Sequence, residues 1–435
     1  MKILVIGNGG REHALAWKLA QSPRADQVYV APGNAGTALE SNLQNIDLQA
    51  TDINGLLAFA QQNTIDLTVV GPEVPLVAGI VDRFQAQGLR CFGPSQACAQ
   101  LEGSKAFSKD FFARYAIPTA QYAVFTELDA ATTYIQQQTI PIVVKADGLA
   151  AGKGVVIAQS QQQAISAAAD MLSGKAFGVA GQQIVIEEFL QGEEASFFVI
   201  ADGTTAIPLA TSQDHKTRDE GDVGPNTGGM GAYSPAPVIT SEIQQRVMRE
   251  VIDPTLEGMH QQGTPYTGFL YAGLMIAADG TLKLLEYNCR MGDPETQPVM
   301  MRLQSDLVDV LDAAIDGNLH HQSELQWDER TALGVVMVAG GYPGNYTQGK
   351  TISGLQKQSS VSVSVDTKVF HAGTRLDGDQ VVTAGGRVLC VTALADTIAQ
   401  ACDKAYAQVK NIDWEDAYYR RDIGHRAIDR STQDQ

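Results

Sequence analysis

The sequence predicts an α/β protein of three units, headed by a doubly wound parallel sheet. Short apolar strand candidates alternate with helix candidates of ordinary length through the first hundred residues, the pattern of a parallel sheet with helices on both faces. At 435 residues the chain is long enough for two to four domains. Hydrophobic residues at 44% against 18% charged give a globular balance, and a core of that size needs no disulfide staple.

The first unit, residues 1–103, opens with a strand over 2–6, where KILVI places four apolar residues directly before GNGG. A helix over 11–20 follows, with Ala14, Leu15, Trp17 and Leu19 on its apolar side. A strand at 28–31, a turn at Pro32-Gly33-Asn34, a helix near 53–62, a strand at 66–71, a helix over 77–87 and a strand at 89–93 complete the alternation.

The second unit, 104–327, begins with a helix over 104–115 that ends at Ile117-Pro118. A strand at 141–146 runs into DGLAAGKG (147–154) and straight on into a strand at 155–158; a helix over 161–172 and a strand at 183–190 close a small α/β subunit. Strands at 195–200, 205–210, 268–277 and 281–287 then accompany helices over 240–261 and 303–316. Residues 211–237 have no hydrophobic period, and a Gly-rich, charge-bearing loop of this length is expected to be functional. The third unit, 328–430, reads as α+β, with strands at 332–339, near 361–371, 381–384 and 387–392, and a helix over 396–410.

The charge balance, 31 Lys+Arg against 49 Asp+Glu, gives a net charge of −18, which repels nucleic acid and anionic membrane at long range. It does not exclude small anions, because a few local cations can reverse the field within one cleft. No apolar run reaches the ~20 residues of a membrane span, and the N-terminal stretch does not read as a signal peptide. Five cysteines without C-x-x-C spacing fit tolerated thiols in a reducing cytoplasm.

Four motifs carry chemistry. Gly7-Asn8-Gly9-Gly10-Arg11-Glu12 lies between a strand and a helix, where an anion can sit on free backbone N–H groups. A dinucleotide fits poorly: the third fingerprint glycine falls at Glu12, and the second strand ends in Ala31-Pro32 without a carboxylate for ribose. A structural turn and a phosphate of another ligand stay open. Lys145 followed by Gly148, Gly152, Lys153 and Gly154 lacks Walker spacing and joins two strands; it suits a hairpin tip closing over phosphates, or simply a flexible turn. Glu187, Glu188, Glu193 and Glu194 flank a turn, as a solvated strand edge would, or as groups holding an adenine amine and ribose hydroxyls. Finally, Glu286 and Asn288 point to one strand face, two hard oxygen donors suited to magnesium, just before Arg290 and Met-Gly-Asp-Pro-Glu. Cys289 should point to the opposite face.

Together these pieces resemble the ATP-grasp ligases and, within them, the phosphoribosylamine–glycine ligase family. The resemblance runs from Met1 to about Ile428. It rests on long strings: VIGNGGREHALAWK, VAPGNAGTA, VGPEVPLV, LEGSKAFSKDF, KADGLAAGKGV, SQDHK, GPNTGGMGAYSP, EYNCRMGDPETQ and GGRVLCVTAL. It implies a central ATP-grasp fold with a flap subdomain at about 120–190. Lys105 and Lys145 would contact ATP phosphates, with Gly152, Lys153 and Gly154 in the flap. Glu187 and the backbone of Glu188 to Leu190 would take adenine, Glu194 the ribose, and Glu286 with Asn288 the Mg²⁺ or Mn²⁺. Glycine and phosphoribosylamine would face Gly9, Gly10, Arg11, Asp214, the segment Asn226, Thr227, Gly228 and Gly229, and Arg290, Gly292, Asp293, Pro294 and Glu295. Catalysis would fall to Arg290, Lys145 and Asp214. One departure from the wider superfamily stands out: the strand before the Glu-x-Asn pair reads Ala272-Gly273-Leu274-Met275-Ile276, with no carboxylate for a second metal.

The implied reaction joins glycine to 5-phosphoribosylamine and splits ATP to ADP and phosphate through glycyl phosphate, in purine biosynthesis. The expected enzyme is a cytoplasmic monomer acting on small molecules, with no nucleic acid or membrane partner. Three alternatives are an NAD-dependent oxidoreductase built on the GNGG turn, a catalytically silent nucleotide-binding scaffold, and an ATP-grasp ligase for another acid and amine. The first leaves the flap, hinge and Glu-x-Asn pair unexplained. The second suits a chain lacking the phosphate lysines or the metal pair, both of which this chain keeps.

Overall fold

A computed structural model of the chain describes residues 1–150, 154–174, 178–355 and 366–433. The first sheet is five-stranded and wholly parallel, in the order Leu43–Asn45, Gln27–Pro32, Lys2–Gly7, Leu67–Val70, Cys91–Phe92. Ile3, Leu4, Val5 and Ile6 are all fully buried, because helices cover both faces of the central strand, and only Lys2 at its start is partly exposed. The helix expected over 77–87 is instead two short helices, Glu73–Val77 and Ile80–Gln85. Gly79, at φ 81, breaks it with a left-handed residue that only glycine adopts without strain. The helix Ala35–Leu39 and the strand Leu43–Asn45 are too short to show a period in the sequence.

A second sheet, antiparallel, has the order Tyr122–Phe125, Ile184–Glu188, Ile142–Ala146, Val155–Ala158. Helices Leu128–Ile135 and Gln161–Leu172 pack on one face over Ile142, Val144, Ala146, Ile184 and Ile186. Strand alternation therefore turns Val143, Lys145 and Glu187 to the other face. A third sheet, also antiparallel, runs Ala206–Pro208, Glu193–Asp202, Thr267–Ile276, Leu282–Asn288. Its last pair shifts register, Gly273 facing Glu286 and Leu274 facing Leu284, so Leu285 is a bulge. Bulges re-aim the side chains that follow, and here they deliver Glu286 and Asn288 together to the space between the second and third sheets.

The segment 211–237 departs most from expectation. It holds the strand Gln213–Asp214, the hairpin Thr217–Asp219/Val223–Asn226, and the buried strand Gly231–Ser234. The last pairs with Thr331–Val338, placing this segment in the C-terminal sheet, ordered Gln213–Asp214, Gly231–Ser234, Thr331–Val338, Arg387–Ala395, Thr367–His371. Pairing across a hundred residues leaves no local period. The helix expected over 240–261 is interrupted by a π turn, Met248–Ile252, ahead of Pro254, whose missing N–H cannot continue the ladder. The helix expected over 303–316 is seen as Leu307–Ile315, and a further short helix, Thr296–Arg302, precedes it. The strand expected near 361–371 is seen as Thr367–His371, its earlier part falling outside the described residues. No described helix is long and apolar enough to cross a membrane. The largest core joins Ile3 and Val5 of the first sheet to Val335 and Val391 of the C-terminal sheet, so these two units are welded rather than tethered.

Candidate active site

Between the second and third sheets, and reaching to the first and C-terminal units, lies a cleft of about 490 Å³. One end has a largely apolar wall, Val143, Val155 and Ile157 from the second sheet, facing Met275 and Leu285 from the third. Lys145 and Glu187 stand on the same wall; Lys145 Nζ donates to Glu187 Oε2 at 3.0 Å. Lys109 Nζ lies 3.2 Å from the same oxygen and donates to Thr119 Oγ1 at 2.7 Å. Burial pulls the Lys109 ammonium down to about 8, against the attraction of Glu187. Glu187 Oε1 is buried without a hydrogen-bond partner among the described residues.

Lys105 opens the helix Lys105–Arg114, which is capped by Ser104. Asp147 ties this helix start to the Gly-rich stretch: it accepts from Ala106 N at 2.7 Å, while Lys105 Nζ donates to Gly148 O at 3.3 Å. Gly154 lines the cleft, and a Cβ there would meet Ala150 Cβ at 2.7 Å. Gly152 and Lys153 lie outside the described residues. Glu188 and Leu190 line the hinge, Glu188 paired with Lys283, and Glu194 forms an ion pair with Lys216.

Neither the Glu286 nor the Asn288 side chain forms a hydrogen bond or ion pair with the described residues, although both face the cleft. Burial alone would raise the Glu286 carboxyl; Lys145, Lys216, Lys105 and Arg290 outweigh it and hold the group below its usual range. Among the described residues no three His, Cys, Asp or Glu side chains converge as a metal cage. Two oxygen donors without protein partners still fit a cation completed by water and phosphate oxygens. Cys289 points away, its Sγ 3.6 Å from Cys98 O within the core behind the third sheet.

The other end of the cleft is rich in paired charge. Arg290 bridges Glu102 at 2.8 Å and Glu73 at 3.3 Å. Glu102 also accepts the Cys289 N–H at 2.7 Å; burial pushes its carboxyl up to about 6 despite Arg290. Burial, reinforced by Glu295 and Glu194 and opposed by Lys216, pushes the Asp214 carboxyl up to about 7. Burial would lower Lys216, but Glu194 and Asp214 keep its ammonium charged. Thr227 N donates to Lys216 O at 2.7 Å, holding Asn226, Thr227 and Gly228 along one rim. Arg387, from the C-terminal sheet, donates to Gly228 O at 2.6 Å and pairs with Asp293 at 3.3 Å. Gly292 and Glu295 line the cleft together; a Cβ on Gly292 would meet Glu295 Oε2 at 2.4 Å.

Arg11 reaches the cleft and donates to Met291 O at 3.2 Å, whereas Gly9, Gly10, Gly229 and Pro294 stand behind the lining. A Cβ on Gly9 would come 3.3 Å from Asp293 Oδ2, and one on Gly229 would come 2.4 Å from Pro294 Cδ. The anion position of the GNGG turn is filled from within: Glu12 Oε2 accepts the Gly9 N–H at 2.6 Å. A dinucleotide phosphate at that turn would have to displace the Glu12 carboxylate. Residue-by-residue reading overlooked Glu73, Glu102, Lys109, Lys216 and Arg387, yet each lies inside one of the long strings that carried the resemblance.

Sequence models of phosphoribosylglycinamide synthetase match the chain in three consecutive parts: the N domain over residues 1–102, the ATP-grasp (A) domain over 103–296 and the C domain over 332–426. Phosphoribosylamine–glycine ligase of Yersinia pestis is 62% identical over 431 residues, covering 99% of this chain and 100% of the relative. The protein of that name from Vibrio cholerae is 61% identical, covering 99% of each. The crystal structure of phosphoribosylamine–glycine ligase from Thermotoga maritima superposes with a TM-score of 0.83 at 32% identity, over 97% of this chain and all of that one. The biotin carboxylase domain of Hydrogenobacter thermophilus 2-oxoglutarate carboxylase, at 15% identity, shares the fold, with a TM-score of 0.72 over 96% of this chain and 91% of its own. The chain is an ATP-grasp ligase and belongs to the phosphoribosylglycinamide synthetase family.

Proposed function

We propose that the protein joins glycine to 5-phosphoribosylamine, splitting ATP to ADP and phosphate, and so makes glycinamide ribonucleotide in purine biosynthesis. The observation that carries this reading is one cleft holding Lys105 and Lys145, the Glu286 and Asn288 side chains that have no partner among the described residues, and the charged rim from Asp214 to Gly228. A carboxylate is a poor electrophile, so a glycine oxygen first attacks the γ-phosphorus, ADP leaves, and glycyl phosphate forms. Such transfer needs positioning and charge neutralisation more than covalent help. Lys105 and Lys145 hold the phosphates, Glu187 and the 188–190 backbone the adenine, and Glu194 the ribose. Gly152 and Lys153 join this set on the family resemblance alone. Glu286 and Asn288 hold a divalent ion, Mg²⁺ or Mn²⁺. When bound, that ion would supply positive charge to offset the charge developing on the phosphates.

The phosphoribosylamine nitrogen then attacks the acyl carbon, phosphate leaves, and the nitrogen sheds one proton. Asp214, its carboxyl raised to about 7, is the group we assign to take that proton. Arg290 steadies the acyl phosphate. Arg11 and Arg387 bring positive charge to the 5-phosphate from the first and third units, beside Gly292, Asp293 and Glu295; Gly9, Gly10, Gly229 and Pro294, one layer behind the lining, join the substrate set on the family resemblance alone. Val143, Val155 and Ile157 of the strands Ile142–Ala146 and Val155–Ala158 wall one side of the cleft, and excluding water from it would protect the labile acyl phosphate. We place the unit boundaries near 103 and 327, and take the enzyme to act as a monomer in the cytoplasm.

The test is incubation with ATP, Mg²⁺, glycine and freshly generated phosphoribosylamine, with products identified by mass. Glycinamide ribonucleotide, ADP and orthophosphate are expected. AMP with pyrophosphate would overturn the acyl-phosphate route, and turnover only with another acid or amine would overturn the substrate assignment.

A further inference from the structure

Lys109 has no place in the mechanism above, yet it is 2% exposed and shares the cleft wall with Lys145 and Glu187. It stands one helical turn after Lys105, on the helix Lys105–Arg114. Its surroundings fix it: the rings of Phe112 and Tyr122 lie 5.7 and 5.9 Å from Nζ, and Thr119 Oγ1 accepts from it at 2.7 Å. The Thr119 hydroxyl spends its own proton on Leu284 O at 2.7 Å, so it can only accept from the lysine. The last strong contact of Lys109 is Glu187 Oε2, at 3.2 Å.

One carboxylate oxygen thus takes two ammonium groups, and the other, Oε1, is buried with no donor among the described residues. A buried acceptor without a donor is costly unless a ligand supplies one. The two lysines are not equivalent. Lys145 is the cation assigned to the nucleotide phosphates, and turning toward them loosens its hold on Glu187. Lys109 is bound from the opposite side by Thr119 and two rings and has no phosphate to follow.

We infer that Lys109 is a specificity-determining positioning residue: it keeps Glu187 aimed so that the unpartnered Oε1 reads the 6-amino group of the bound purine. An ionised carboxylate only accepts hydrogen bonds. A 6-aminopurine offers it an N–H; a 6-oxopurine sets a carbonyl oxygen against it and is rejected, as sites built around one hydrogen bond reject analogues lacking it. The inference rests on the nucleotide-site reading proposed above and adds the group that enforces base choice within it.

The experiment compares ADP and IDP, which differ at purine position 6, by calorimetric titration of the full-length protein. Lys109→Met is expected to lower the ADP-to-IDP affinity ratio at least about tenfold, the size of one charge-assisted hydrogen bond. Glu187→Gln should lower the ratio similarly, since an amide can turn its NH₂ to the 6-oxo group. The double variant should lose little more than either single one, because Lys109 acts through Glu187. If Lys109→Met does not fold, Lys109→Gln, which retains a donor for Thr119 but carries no charge, takes its place. A folded variant at Lys109 with the parental ratio would overturn the inference while leaving the nucleotide site intact. Failure of the parent protein to bind ADP at all would overturn the nucleotide reading itself.

Discussion

Replacing Arg290 by Met removes the cation shared by Glu73 and Glu102 while keeping much of its hydrocarbon volume. Glu102 is the vulnerable partner, with a side chain only 7% exposed and an Arg290 nitrogen at 2.8 Å. Its carboxyl is raised from 4.5 to about 6 by burial even with Arg290 in place. A rise of that size costs the folded protein about 2 kcal/mol at pH 7. Without Arg290 the rise must grow, because the guanidinium is the strongest influence holding it down. Stripping one partner from a buried charge cluster typically costs ~3–5 kcal/mol, and the partial exposure of Glu73, at 26%, favours the lower end.

The pH dependence identifies the cause. An acid whose folded pKa is raised binds more protons folded than unfolded, so its penalty is absent below the unfolded value and grows as pH rises through the folded one. The stability gap between parent and Arg290→Met should therefore be about 3 kcal/mol at pH 8 and roughly half that or less near pH 5. Urea unfolding at both pH values measures it. Adding Glu102→Gln should recover most of the stability, since a neutral amide needs no cation. Turnover should not return with it, because Arg290 is assigned to the acyl phosphate. A gap independent of pH would mean that packing rather than charge carries the cost. A double variant that regained both stability and turnover would remove Arg290 from the catalytic set.

Glu286→Gln should cut turnover on the order of a hundredfold, the usual scale for losing one electrostatic contact to a transition state. ADP affinity should fall less and melting temperature little; parental turnover with an unchanged magnesium dependence would place the metal elsewhere. Cys289→Ala should keep most activity and cost about 1 kcal/mol in unfolding, since its Sγ faces Cys98 rather than the cleft; total loss of activity in a folded variant would contradict this. At the seam between the first and C-terminal units, burial would raise the Glu40 carboxyl, but His13 and Lys368 bring it down to about 2. A depressed acid stabilises above its unfolded pKa of 4.5 and loses that contribution as pH falls toward 2. Glu40→Gln should therefore cost up to about 3 kcal/mol at pH 7 and much less at pH 3, and equal losses at the two pH values in urea unfolding would refute it.

The first unit was legible because its strands are continuous apolar runs between turns, KILVI and DLTVVG above all, and a parallel sheet buried on both faces demands such runs. The strand Gly231–Ser234 was not, because Gly-Ala-Tyr-Ser has no period and its partner Thr331–Val338 lies far downstream. Single residues divide in the same way. Lys145, Glu286 and Asn288 stand in local clusters whose chemistry can be read directly, and Lys105 came through the family strings. Glu73, Glu102, Lys109, Lys216 and Arg387 stand apart from one another, and a lone charge acquires meaning only from what the fold sets opposite it. The expectation that cations would converge on one cleft of an acidic protein holds, but most arrive already paired. Arg290 meets Glu102 and Glu73, Lys216 meets Glu194, Arg387 meets Asp293, and Lys145 with Lys109 meets Glu187. An anionic substrate entering this cleft therefore exchanges partners with carboxylates instead of meeting bare charge. The carboxylates hold the cations in place beforehand, so less reorganisation remains for the reaction to drive. A protein of net charge −18 can in this way recruit phosphates locally without presenting a cationic surface to nucleic acid.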